Sequence, residues 1–347
     1  MQIPFVDLKV QYLSIKPDID RAIQDVVAGS TFVGGEPVEQ FEKSFADFVG
    51  VKHCIGCGNG TDSIEILLKA FGIGLGDEVI VPAISWISTS ETVSSIGAKP
   101  VFVDIEEDYY TINPALIEAK ITKKTKAIMP VHLYGQPANM PAIMEIAKKY
   151  NLVVIEDLAQ AHGAKINGQQ VGTFGDAASF SFYPSKNLGA YGDAGGMTTN
   201  NDQIAATARR IANHGQLQKH DHPIEGRNSR LDTLQAAILN AKLPYLKQWT
   251  HSRNTNGLLY NQLLATVEGI VTPKIRANAY HVFHLYVIRT KDRTALQQHL
   301  QANGIQTAIH YPTALPFLPC YAHAGYSAKD FPVAYEYQKE ILSLPMY

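Results

Sequence analysis

A chain of 347 residues is too long for one ordinary core and is expected to form one large domain and a smaller one. Apolar residues make up 46% and charged residues 18%, a balance that buries a large core, and a net charge of −2 leaves no basic field for nucleic acid or an anionic membrane. Three cysteines supply no disulfide framework, and no apolar run approaches the ~20 residues of a membrane span.

The first residues, Met1-Gln-Ile-Pro-Phe-Val-Asp-Leu, carry neither a basic nor an apolar leader region, so no secretory signal is read and a reducing cytoplasm is the expected compartment. Ile15, Ile19, Ile23 and Val26 recur at helical steps, and after Gly34-Gly35 a second helix carries Val38, Phe41, Phe45 and Phe48 on one face. His53 to Cys57 reads as a short strand. Its pair Cys54-x-x-Cys57 lacks a second pair at zinc-finger spacing and is taken as buried small residues, with no metal site. Gly58 to Asp62 is the following turn, and Asp62 with Glu65 resembles a capping box for a helix bearing Ile64, Leu67, Leu68 and Phe71.

Strand, glycine turn and helix start together make an anion site, because free N–H groups and the helix dipole converge on one spot. The spacing Gly56-x-Gly58-x-Gly60-Thr61 is not the dinucleotide fingerprint, so a single phosphate is favoured over a dinucleotide. A plain left-handed turn gives the same residues.

From there strands and helices alternate. Strands are expected at 79–81, 100–105, 127–131 and 152–155, the last ending in Glu156-Asp157. Helices are expected within 82–96, from about Pro114, and over 140–150. The strand at Ser179 to Phe182 breaks at Pro184 and delivers Lys186 into a glycine-containing turn. Gly195 to Thr199 is one more strand, followed by a helix over 203–213, a polar loop over 214–228 and an apolar helix over 231–246 broken at Pro244. The pattern predicts an α/β fold with a mostly parallel sheet covered on both faces, where ligands gather at the carboxyl ends of strands. Residues 1–244 form the expected large domain, and 245–347 a smaller α+β domain on which the N-terminal helix can pack. The smaller domain is expected to contain a long helix, strands near Ile270 and over 284–288, and a helix over 294–303.

Asp157 near a buried strand end needs a partner. Alone it is a metal ligand, a general base or a salt-bridge acid, and no set with metal spacing surrounds it. Gln160 lies one turn on. The anion site at Gly58 to Asp62, the ring of Trp86, Asp157, the hydroxyls of Ser179 and Ser181, and Lys186 are jointly what pyridoxal phosphate requires. Its phosphate needs N–H and hydroxyl donors, its ring a stacking partner, its pyridine nitrogen a carboxylate, and its aldehyde an amine.

The order Gly60-Thr61-Asp62, Pro82-x3-Trp86, Glu156-Asp157-x2-Gln160-Ala161, Ser181-x4-Lys186-Asn187-Leu188-Gly189 and Gly226-x-Asn228-Ser229-Arg230-Leu231 resembles the nucleotide-sugar aminotransferases of the DegT/DnrJ/EryC1/StrS family. The match runs nearly the whole chain, to Ile309-His310-Tyr311-Pro312. The resemblance implies the aspartate aminotransferase-like fold (fold type I of the pyridoxal phosphate enzymes), with a seven-stranded sheet. It implies that Lys186 bonds the cofactor's aldehyde and shuttles a proton. Asp157 would pair with the pyridine nitrogen, Gln160 would bond the ring hydroxyl and Trp86 would stack on the ring. Thr61, the Asp62 backbone and Ser181 would hold the phosphate, and Asn228 would reach the phosphate of a second subunit, so a homodimer is implied. Tyr183, His214, Arg230, His310 and Tyr311 are implied substrate contacts. The amino donor would be L-glutamate, with pyridoxamine phosphate as the form that carries the amine to a keto-sugar nucleotide. An apolar, cation-adjacent setting would lower the pKa of Lys186 and favour its free amine.

The string Phe182 to Gly189 with Tyr191 to Gly195 resembles members that aminate a C3 ketone. dTDP-3-keto-6-deoxyhexoses are the first choice, and UDP-linked 2-acetamido-3-keto sugars or 4-keto sugars the alternatives. Dehydratases of the same family carry histidine where this chain has Lys186, so that lysine argues against them. A non-enzymatic regulator would have no use for Lys186, Asp157 and Gln160 together. A nicotinamide dehydrogenase would need the absent glycine spacing.

Overall fold

A computed structural model describes residues 2–347. Seven strands form the central sheet: β1 (His53–Cys57), β2 (Glu78–Pro82), β3 (Lys99–Val103), β4 (Thr125–Ile128), β5 (Val153–Asp157), β6 (Ala177–Ser181) and β7 (Gly195–Thr199). Their order is β1-β7-β6-β5-β4-β2-β3. Only β7 runs against its neighbours, β1 and β6. The other contacts are parallel.

Successive side chains of these strands enter different cores, because a strand alternates faces at every residue. Ile55, Val79, Val81, Ile155 and Ala177 join one apolar cluster with Ile64, Leu67 and Leu68 of the helix Gly60–Ala70. Cys54, Ile80, Val154, Ala178 and Phe180 join a second cluster with Phe41 and Phe45 of the helix Glu36–Val49. Cys54 and Cys57 therefore lie buried on opposite faces and cannot share a ligand.

Two expected elements differ. No helix starts at Pro114; two 3-10 turns, Pro114–Leu116 and Glu118–Lys120, take its place. Ile117 is their only fully buried apolar anchor besides Pro114, too little to hold an amphipathic face. Near Ile270 the chain makes only one bridge, Val271 to Arg289. The strand over 284–288 appears as β8 (Tyr286–Arg289), and its partner is β9 (Ile341–Leu344), unassigned from sequence, which follows the helix Pro332–Glu340. The apolar helix over 231–246 appears as Thr233–Lys242, a 3-10 turn Leu243–Tyr245 and the long helix Leu246–Leu264. The N-terminal helix Lys16–Gly29 packs Ile19 against Ile238, and Tyr245 donates to Asp18 at 2.7 Å. Among the described residues no helix is long and apolar enough to cross a membrane.

Candidate active site

The face alternation of β5 and β6 selects which polar groups meet. Ile155 points to the core under the helix Gly60–Ala70, so Asp157, two residues on, points to the same side. Glu156 points away and is fully buried. It accepts N–H bonds from Gly172 (2.9 Å), Phe174 (2.9 Å) and Gly175 (2.8 Å), and its carboxylate meets the His132 ring at 3.1 Å. Of two adjacent acids, one braces the fold and the other faces a cavity.

That cavity, of about 690 Å³, lies at the carboxyl ends of the parallel strands. Its walls bring together Gly60, Thr61, Asp62, Trp86, Asp157, Gln160, Ser181, Tyr183, Lys186, His310 and Tyr311. His214, Asn228 and Arg230 are exposed and lie outside it. Asn228 forms a bridge with Asn213, and Arg230 donates to the Asn213 side chain at 3.5 Å.

The helix start differs from the expected capping box. Asn59 is the N-cap, and its side chain accepts the Asp62 N–H at 2.8 Å. The Asp62 carboxylate instead accepts from Arg227 at 2.7 Å and from the Ser229 hydroxyl at 2.6 Å. Glu65 pairs with Lys69 (2.8 Å) and Arg227 (3.1 Å). Ser229 also accepts the Gly58 N–H at 3.1 Å, so the segment 227–229 braces the turn. With Asp62 N–H taken, the N–H groups of Gly60 and Thr61 remain without an acceptor among the described residues. Thr61 and Ser88 share a hydroxyl bond of 2.7 Å beside them. A Cβ on Gly60 would sit 2.7 Å from that of Ser181, so glycine keeps this corner open. Ser179 is not a cavity residue; its hydroxyl bonds Ser63 beneath the helix.

Lys186 sits on a turn closed by its own N–H to the Tyr183 carbonyl at 2.8 Å. A Cβ on Gly189 would lie 2.3 Å from the Pro184 carbonyl oxygen, so the turn needs glycine there. Burial pushes the Lys186 ammonium down to about 8, with Asp157 acting the other way. The cause is thus desolvation beside an anion rather than the cation-adjacent setting expected. Burial likewise raises the Asp157 carboxyl, against the Ala159 N–H (2.9 Å), the Lys186 charge and the Thr89 hydroxyl (3.5 Å). Gln160 accepts the Tyr134 N–H at 2.6 Å and donates to the Tyr311 hydroxyl at 3.0 Å. Tyr311 in turn lies tilted against Trp86, with ring centres 5.6 Å apart. Burial and the nearby Lys186 push His310 down to about 4, so its ring is neutral; Nδ1 meets the Ser343 hydroxyl at 2.8 Å.

This donor set fits a phosphorylated pyridine cofactor. Two free N–H groups at a helix start and the Thr61, Ser88 and Ser181 hydroxyls suit the phosphate. Asp157 suits a ring nitrogen, Trp86 a ring face and Lys186 an aldehyde. Sequence reasoning missed Asn59, Ser85, Ser88, Thr89, Tyr134 and His284. The hydroxyl run around Trp86 and an asparagine just before the helix were the legible signals; Tyr134 and His284 had none.

The profile of the DegT/DnrJ/EryC1/StrS aminotransferase family matches residues 13–347. The chain is 49% identical to a pleiotropic regulatory protein of Geobacillus stearothermophilus, over 100% of this chain and 94% of that one. It is 46% identical to the UDP-2-acetamido-2-deoxy-3-oxo-D-glucuronate aminotransferase of Pseudomonas aeruginosa (99% and 95%). It is 44% identical to the dTDP-3-amino-3,6-dideoxy-alpha-D-galactopyranose transaminase of Aneurinibacillus thermoaerophilus (99% and 94%). The crystal structure of S. venezuelae DesV superposes with a TM-score of 0.97 at 40% identity, covering 99% of this chain and 93% of that one. That of ntda from Bacillus subtilis, with bound cofactor PMP, superposes at 0.91 with 32% identity, covering 100% and 81%.

Proposed function

The chain belongs to the DegT/DnrJ/EryC1/StrS aminotransferase family and is a pyridoxal phosphate-dependent sugar aminotransferase, and we propose that it moves the amino group of L-glutamate to the C3 keto carbon of a dTDP-linked 3-keto-6-deoxyhexose. The products are 2-oxoglutarate and a dTDP-3-amino-3,6-dideoxyhexose. The observation that carries the reading is Lys186 and Asp157 facing one cavity, with Tyr183, His310 and Tyr311 on its walls. The near full-length likeness to a dTDP-3-amino-sugar transaminase supports the choice of sugar.

When bound, the cofactor supplies an electron-accepting ring and an amine carrier between the two substrates. The residues supply the rest. Lys186, held near a pKa of 8, can take a proton from one carbon and return it to another at working pH. Asp157 would offer its charge to the ring nitrogen, and Thr61, Ser88 and Ser181 would hold the phosphate end. Trp86 and Tyr311 would flank the ring, with Gln160 tying Tyr311 in place.

Asn228 lies outside the cavity of its own chain. We infer a homodimer in which each copy's Asn228 reaches the phosphate end of the other's site.

Incubating the enzyme with L-glutamate and, in turn, dTDP- and UDP-linked 3-keto and 4-keto sugars tests the reading, with products identified by mass. Amination of the dTDP-linked 3-keto sugar with the highest kcat/KM is the expected result. Preference for the UDP-linked 2-acetamido-3-keto sugar, to which the Pseudomonas relative points, would replace the substrate but not the reaction. No amination of any sugar would overturn both.

A further inference from the structure

The turn that carries Lys186 is locked at its next residue. Asn187 is buried, 3% exposed, and its side-chain amide spans two groups of the segment leading to β8. Nδ2 donates to the Val282 carbonyl at 3.2 Å, and Oδ1 lies 3.1 Å from Nδ1 of His284. A backbone carbonyl can only accept, so Val282 dictates which way the amide faces. The amide oxygen must then face His284, and an oxygen can only accept, so the proton of the neutral imidazole must sit on Nδ1. Nε2 is left as a bare lone pair. It meets no donor among the described residues, and His284 lines the cavity beside Lys186.

The ring stays neutral. Burial and the positive charges of Lys186 and Arg253 push it well below the usual imidazole range. Arg253 fixes the segment from behind, donating to the carbonyls of Phe283 (3.2 Å), His284 (3.3 Å) and Met346 (2.9 Å). The geometry therefore presents a fixed, uncharged acceptor to the cavity. The amine of L-glutamate is the group that must reach the cofactor's aldehyde beside Lys186, and its two carboxylates are acceptors that gain nothing from Nε2; a sugar hydroxyl is a donor not committed to that bond and does gain.

We propose that His284 Nε2 accepts a hydrogen bond from a hydroxyl of the keto-sugar, making His284 a sugar-specific binding residue. This rests on the proposed nucleotide-sugar substrate. Asn187 is the positioning residue that sets the tautomer.

Two measurements test it. In protein labelled with 15N-histidine, His284 should carry its proton on Nδ1; a proton on Nε2 would overturn the acceptor assignment whatever the substrate. In steady-state kinetics with L-glutamate and the dTDP-linked 3-keto sugar, His284→Phe should raise the sugar KM about tenfold more than the glutamate KM, the size of one hydrogen bond. His284→Gln, which keeps an acceptor near the Nε2 position, should hold the sugar KM within about threefold of wild type, again on the scale of one hydrogen bond. Equal rises for both substrates in His284→Phe, or equal sugar KM values in the two variants, would reduce His284 to a packing residue. Wild-type enzyme that aminates no sugar would overturn the substrate reading, while the tautomer measurement would still decide the lock.

Discussion

Asp157 and Lys186 hold each other in check across the cavity. Burial drives each toward its neutral form, and each charge draws the other back toward ionisation. The outcome is a lysine near 8 and a carboxyl above its ordinary value, an amine that is available and an acid that needs a cation. Asp157→Asn removes the one charge holding Lys186 up. In enzyme carrying pyridoxamine phosphate, where the Lys186 amine is free, the acid limb of the pH–kcat/KM profile for the keto-sugar should then shift to lower pH while the maximum rate falls by about 10²-fold or more, the range for a lost acid–base or electrostatic group. An unshifted acid limb would mean that the two groups do not interact.

Lys186→Ala leaves the turn hydrogen bonds in place, since Lys186 contributes its backbone N–H to Tyr183. The variant should fold with an unchanged far-ultraviolet spectrum and lose transamination by at least about 10³-fold. Wild-type protein loaded with pyridoxal phosphate should absorb at the visible edge and lose that band on borohydride treatment, whereas the variant should show no borohydride-trapped cofactor by mass.

Gly60 keeps the corner beside Ser181 empty. Gly60→Ala should weaken retention of pyridoxal phosphate by about tenfold or more, because the added methyl forces apart groups that would otherwise converge on the phosphate. Equilibrium dialysis of the cofactor against wild type and variant measures this. Unchanged affinity would place the phosphate elsewhere.

If Asn228 serves the neighbouring copy, Lys186→Ala and Asn228→Ala damage opposite halves of one shared site. Mixing the two inactive variants under subunit exchange should restore activity, because one site of each mixed dimer then carries both intact residues. Absence of recovery in a mixture shown to exchange would overturn the shared site.

Lys242 is fully buried. It donates to the Gly189 carbonyl at 2.7 Å and lies 4.2 Å from the Tyr191 ring centre, and burial pushes it down to about 8. In the unfolded chain it titrates near its ordinary value of 10.5. The unfolded state thus binds the extra proton between these values, and the folded state gains stability as pH rises from about 8 toward 10.5. Lys242→Met abolishes this component. Between pH 7.5 and 9.5 urea unfolding should show wild type gaining roughly 1–2 kcal/mol relative to the variant. A parallel pH dependence in both proteins would show that Lys242 keeps its ordinary affinity for protons.

Local pattern was enough for the elements that carry the site. His53–Cys57, Met140–Tyr150 and Gly195–Thr199 lie where apolar period and turn residues put them. The glycine turn, Trp86, Asp157, Ser181 and Lys186 were legible because each lies at or just after a strand end, where a residue that breaks an apolar run stands out. Period fails where partners are remote: β9 was unreadable because its pairing with β8 is what makes it a strand.

Residue chemistry in chain order determined the family and the cofactor and singled out Lys186 as the amine proposed to meet it, since a phosphate turn, an aromatic, a carboxylate and an amine are recognisable without coordinates. Tertiary structure alone decided how those groups are tuned. Strand alternation sent Asp157 to the cavity and Glu156 to the fold's interior. Arg227 and Ser229 claimed the Asp62 carboxylate that the expected Asp62–Glu65 box would have used. The packing of the β8 approach against the Lys186 turn gave His284 its tautomer. Each depends on a hydrogen bond between residues distant in the chain or on a face set by neighbouring strands, and neither is written in local periodicity.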